Sequence, residues 1–184
     1  MSANENPVLS AVARAAAELT DAAGAAVVAV RGEEIVVLAS RGPDPQRAVG
    51  DRLGPGDEAV RFVLAGGQSM SLAPAAAAPE GAGADDPQTA GRASMCLPCI
   101  GEDGAIGALE LHGRPGHGPF DVAATRVAAL LADVACAELV ADRGGSTAAP
   151  SPSELSGELA QLAARDRTRY VAVALALGAL LAGG

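Results

Sequence analysis

Few residues in this chain carry types and spacing suited to chemistry. Cys96 and Cys99 are the one pair at redox-like or metal-like spacing, and the third cysteine is Cys136. A zinc site takes four ligands, usually from two such pairs. This sequence has no second pair and only two histidines, His112 and His117. On a regular strand, positions three apart point to opposite faces, so the two thiols would not chelate together. Pro98 between them is able to bend the strand. Both cysteines are expected to be buried small hydrophobes. The alternative is thiol-based redox sensing through Cys96 and Cys99. No metal site is assigned.

His112 closes an apolar strand and His117 lies in a Gly/Pro loop, so both read as solvated loop-end residues, with a haem ligand or general base as the alternative. Asp57, Glu58, Asp85 and Asp86 read as an N-cap pair and a solvated loop, or as a charged mouth to a pocket. No serine sits in a nucleophile-elbow sequence. The glycine-rich run Gly113–Gly118 matches no phosphate-loop spacing. No catalytic residue is assigned.

Composition narrows the classes further. The 184 residues carry a net charge of −9, which disfavours binding to nucleic acid. Every basic side chain is Arg, so Schiff-base and P-loop chemistry lack their amine. Aromatics are 2% of the chain, too few for a stacking platform or an aromatic cage. The opening MSANENPVLS has neither a basic n-region nor an apolar h-region. With an odd cysteine count, a cytoplasmic location is expected, with a peripheral membrane position as a variant.

The elements that must position these residues read as follows. A helix is expected from about Pro7 to Ala22, capped by Asn6, with Gly24 as a left-handed C-cap. Ala25–Val30 and Glu34–Ser40 flank a short turn and read as a hairpin. Neither strand alternates cleanly, which suits a sheet covered on both faces. Asp57 is placed to cap a short helix bearing Val60, Val63 and Leu64, closed by Gly66-Gly67. A short strand follows at Gln68–Leu72. Residues 73–92 are low in complexity and read as a mobile loop. Ala93–Ile100 and Ala105–His112 form the clearest hairpin, with Pro98 implying an edge position or bulge. A helix from Asp121 to about Asp142 buries Val127, Leu130, Leu131 and Val134. The reading is α+β: an antiparallel sheet with helices on both faces.

Residues Cys96-Leu97-Pro98-Cys99-Ile100, then Gly104 to Leu111, then Phe120-Asp121, resemble the second half of a GAF domain. Leu19-Thr20 and Val49-Gly50-Asp51-Arg52-Leu53 fit its first half. The resemblance spans residues 8–142 and implies a sensory module or a dimerisation module. It places a ligand between the sheet and the central helix and loop, at about residues 43–92. The pocket candidates are Asp57, Val60, Leu64, Met70 and Cys96. The resemblance identifies no cofactor: the cyclic-nucleotide pattern is missing, and the region is poor in aromatics and His for haem or a tetrapyrrole. It implies that the first and last helices form a bundle with a second copy.

The domain is expected over residues 7–142, a linker over 143–153, and a C-terminal apolar helix over 154–184. Arg165, Arg167 and Arg169 form a basic collar before the uncharged stretch Tyr170–Gly184. As a helix that stretch reaches about 22 Å, short of a bilayer's hydrocarbon core. It is expected to pack on protein, most simply in a homodimer, with shallow membrane insertion as the alternative. The function expected is a non-catalytic sensory or regulatory module that binds a small ligand or dimerises to control a signalling partner. The alternatives are a scaffold acting only through its helices, and a cysteine-based redox sensor.

Overall fold

The structure, a computed structural model, describes residues 6–74, 92–114 and 117–144. Most of the expected 73–92 loop, the linker and the C-terminal helix lie outside these residues. The element order is α1 (Pro7–Leu19), β1 (Gly24–Arg31), β2 (Glu34–Arg41), α2 (Glu58–Gly66), β3 (Met70–Leu72), β4 (Ser94–Gly101), β5 (Gly104–His112) and α3 (Val122–Asp142). The five strands form one antiparallel sheet in the order β2-β1-β5-β4-β3.

Both faces of the sheet are covered, as the mainly apolar sequences of β1 and β5 require. On one face α1 and α3 pack over Val27, Ala29, Leu97, Cys99, Leu109 and Leu111. On the other, Val60 and Val63 of α2 pack with Ala26, Val28, Val37, Cys96 and Ala108. The helix face is built from small residues at close approach. A Cβ at Gly107 would lie 2.4 Å from the Val28 carbonyl oxygen and 2.6 Å from Leu139 Cδ1 of α3. A side chain there would collide with the neighbouring β1 backbone and crowd Leu139.

Asn6 caps α1 as its sequence position predicts, its side chain accepting from the Val8 and Leu9 amides. Gly24 does not serve as the C-cap. Helix α1 ends at Thr20, Asp21 takes the positive φ of 54°, and Gly24 opens β1. Glycine is needed there for room, because a Cβ would lie 2.8 Å from Pro45 Cα. Gly67 does close α2 in a left-handed conformation. Pro98 occupies an edge position, since β3 pairs with β4 only as far as Cys96. A register shift follows at Cys99/Ile100. Of the stripe expected to be buried on α3, Val127 and Leu131 are buried, whereas Leu130 is half-buried.

The end of α3 is tied to the sheet. Arg31 pairs with Asp142, and the Arg143 guanidinium donates to the carbonyls of Val30 and Ile106. No helix among the described residues is long and apolar enough to cross a membrane.

Candidate functional site

The antiparallel register sets out the α2 face row by row. One row runs Ser40, Ala26, Glu110, Cys96, Met70 across all five strands. The next runs Gly24, His112, Ser94, Leu72. A third runs Val37, Val28, Ala108, Pro98. Bulky apolar side chains gather near the third row, under Val60 and Val63. Around Glu110 the neighbours are small.

Glu110 is therefore a carboxylate on the central strand of a covered sheet, with 6% of its side chain exposed. A buried charge is costly unless it is paired. Its partner comes from the loop between β2 and α2. Arg47 Nε donates to Glu110 Oε2 at 2.9 Å and Nη2 donates to Oε1 at 3.0 Å, a two-pronged guanidinium–carboxylate pair. Arg47 Nη1 donates to Asp57 Oδ1 at 2.6 Å. The loop carrying Arg47 is fixed at several points. Ser40 Oγ donates to the Arg47 carbonyl, the Asp44 amide donates to the Ala23 carbonyl, and residues 50–53 bond along β2.

Asp57 stands at the N-cap position of α2, as expected, but its side chain makes no capping bond to the helix. It faces away, accepting from the Gly54 amide and from Arg47. The loop's need to hold Arg47 outweighs the cap.

His112 corrects the sequence expectation of a solvated residue: it is buried, one row beyond Glu110 on the same face. Its Nε2 lies 3.4 Å from Glu110 Oε1 and is a buried atom with no hydrogen-bond partner. Arg92 ion-pairs with Asp44 at 2.7 Å, while its Nη1 is also buried without a partner. Burial works to raise the Glu110 pKa, but His112 and Arg47 outweigh it and hold the carboxyl at about 2. Burial likewise opposes the charged form of Arg47, and Glu110 and then Asp57 more than compensate.

The predicted pocket residues Val60, Leu64, Met70 and Cys96 come together on this face, with Asp57 at its edge. The redox pair does not come together. Cys96 packs under α2, whereas Cys99 lies on the opposite face, where its Sγ donates to the Ala132 carbonyl of α3. Burial first pushes both thiols up, reinforced by Glu110 for Cys96 and by the neighbouring thiols of Cys136 and Cys96 and then Asp133 for Cys99. All three cysteines are free thiols, and among the described residues no cluster of ligating side chains suits a metal ion.

Arg47, Glu110 and Arg92 are site residues that the sequence reading did not single out, and His112 was read only as a solvated residue. Glu110 and His112 did carry a signal. They stand two apart in an otherwise apolar strand, which puts two polar groups on one buried face. Nothing near Arg47 marks it in the sequence.

With this arrangement in view, the sequence matches the GAF domain family over residues 6–139. The chain belongs to the GAF domain family. GAF domains are sensory and regulatory modules. The GAF-B domain of DevS from Mycobacterium smegmatis is similar at 22% identity and a TM-score of 0.57, covering 74% of this chain and 93% of that one. A GAF domain/HD domain protein from Geobacter sulfurreducens is similar at 17% identity and a TM-score of 0.56, covering 77% and 95%. The cyanobacteriochrome receptor PixJ is similar at 17% identity and a TM-score of 0.54, covering 72% and 92%. These likenesses show the GAF fold. No curated protein matches the sequence.

Proposed function

We propose that this GAF domain is a non-catalytic sensory or regulatory module that binds a small ligand on its α2 face and passes its state to a signalling partner. The observation that carries this reading is the buried Glu110–Arg47–Asp57 network between α2 and the sheet. A buried ion pair is weak evidence for stability, because apolar side chains of similar volume often do as well. The opposite face of the same sheet, packed by α1 and α3, is filled with Ala, Val and Leu. The charged groups stand where the chain's fold family suggests recognition.

The experiment is native mass spectrometry of the full chain, with Glu110→Gln beside it. The expected result is a small molecule retained by the wild type and lost from the variant. Equal retention by both would remove the α2 face from the reading. A homodimer through α1 and α3 belongs to the same proposal, and light scattering of the full chain tests it. A dimer with no retained molecule favours the scaffold reading. One observation speaks for that scaffold: Arg47 already satisfies both carboxylate oxygens of Glu110.

A further inference from the structure

Two large apolar side chains stand exposed at one end of the α2 face. Phe62 of α2 is 60% exposed and Ile100 of β4 is 48% exposed. Ile100 lies against the end of α2, since a Cβ at Gly67 would come 3.5 Å from its Cδ1. Phe62 and Gly66 are four apart in α2 and share its outer side. A Cβ at Gly66 would meet nothing within 4 Å, so nothing covers the helix between the two apolar groups. Leu64 and Met70, partly buried, continue this surface inward onto Val60 and Val63.

Single apolar residues on a surface are ordinary, whereas a joined group of them marks a contact. Leu72 and Val122, also exposed, stand apart toward the opposite end of the sheet. The chain has two phenylalanines, and Phe120 packs against the core under α1 and α3. Phe62 is the one left in water.

The patch has an acidic border. Glu102 and Asp103 make the β4–β5 turn just beyond Ile100, and Glu33 stands in the β1–β2 turn at the same end of the sheet; all are exposed. The Arg143 bonds to the carbonyls of Val30 and Ile106 gather the two hairpins and the end of α3 at that end. Cys136 of α3 donates to the Ile100 carbonyl at 3.1 Å. The described residues therefore end, at Gly144, close to the patch.

The sequence beyond has the complementary character. Through Asp142 the chain carries nine Arg against nineteen carboxylates, whereas residues 143–184 carry four Arg against three. Arg165, Arg167 and Arg169 directly precede the uncharged stretch Tyr170–Gly184. An uncharged apolar stretch is driven to leave water, and a basic group beside it favours an acidic border. Residues 145–164 separate this stretch from α3. A chain of that length spans about 25 Å even as a random coil. Crossing from the layer on one face of a sheet to the layer on the other takes about 20 Å, two layer spacings.

We propose that Phe62 and Ile100 form a docking surface for the chain's own residues 165–184. The uncharged stretch covers the apolar pair, and the arginines lie against Glu33, Glu102 and Asp103. Seated there, the segment bears on the end of α2, the helix over the proposed ligand face. The docking itself requires no ligand and stands apart from that reading.

The test uses the full chain. Hydrogen–deuterium exchange is read on peptides from residues 165–184, and limited trypsin cleavage is read at Arg167 and Arg169. The double variant Phe62→Ser, Ile100→Ser is compared with wild type and with Val122→Ser, a control at the opposite end. The expected result is a protected segment in wild type and in Val122→Ser. In the double variant its exchange and cleavage become faster by about tenfold or more, as losing two apolar contacts of this size implies. Peptides from β5 exchange alike in all three, and the protection does not depend on protein concentration. If the double variant does not fold, Glu102→Arg, Asp103→Arg takes its place, with the same expected loss of protection.

A segment unprotected in wild type, or equally protected in the double variant, would overturn the inference. Protection that rises with protein concentration would assign the segment to a second copy. Protection that appears only with vesicles of phosphatidylcholine and phosphatidylserine would assign it to a lipid surface. Either of these outcomes also overturns the docking.

Discussion

The two faces of the sheet share strands but are built on different principles. The face under α1 and α3 is continuous and apolar, with Leu109, Leu111 and Leu139 fully buried. Gly107 lets α3 approach closely there. The face under α2 is apolar at one end and charged at the other, with Glu110 and His112 both at 4% exposure. The helix face holds the fold by close packing. The α2 face accepts buried charge, which packing alone does not require, and the proposed recognition rests on that contrast.

The largest expected effect tests the helix face. Leu109→Ala should destabilise by about 2–5 kcal/mol, from lost transfer energy and the cavity left behind. Chemical denaturation measures it. A loss well below that range would mean that this face is not the main core.

On the α2 face the expected effects are smaller and depend on pairing. Glu110→Gln alone should cost about 1–3 kcal/mol, because it removes the charge that satisfies the Arg47 guanidinium. Combining Arg47→Met with Glu110→Leu should restore most of that loss, as apolar replacement of buried pairs often does. The double variant should nonetheless lose the retained molecule. Should it remain as unstable as the single variant, the network is structural, and the contrast between the faces disappears.

Acid should also act through the α2 face. The Glu110 pKa is lowered from 4.5 to about 2 in the folded state. Its contribution to stability is therefore present above the unfolded value and is lost as pH falls from about 4.5 toward 2. Denaturation curves across that window should show a shallower decline for Glu110→Gln than for wild type. Parallel declines would assign acid sensitivity to other carboxylates.

The smallest effects belong to the cysteines. Cys96→Ala and Cys99→Ala should each cost about 1 kcal/mol, one on each face. A thiol reagent applied to the native protein should label half-exposed Cys136 first. Labelling of Cys96 as fast as Cys136 would show that the α2 face opens readily, and it would sharpen the difference between the two sides.

Much of the frame was legible in the residue pattern. Asn6-Pro7 announced the first helix, Gly67 the end of α2, and the two turn-linked apolar pairs both hairpins. The three-residue spacing of Cys96 and Cys99 already separated them onto opposite faces, because strand side chains alternate. The pocket candidates Val60, Leu64, Met70 and Cys96 followed from the GAF resemblance, and these residues gather on the α2 face.

The charged part of the site was not legible. His112 reads as a strand end open to water, and it becomes buried only because it lies one row beyond Glu110 on the covered α2 face, beside Gly24. Asp57 reads as a helix cap, and it turns instead toward an arginine ten residues earlier. Local sequence determined the elements, their order and which strand positions share a face, since these follow from backbone sterics and side-chain period. Tertiary structure alone decided that Arg47 meets Glu110, 63 residues away, because a buried carboxylate must find its partner wherever the fold brings a cation within reach.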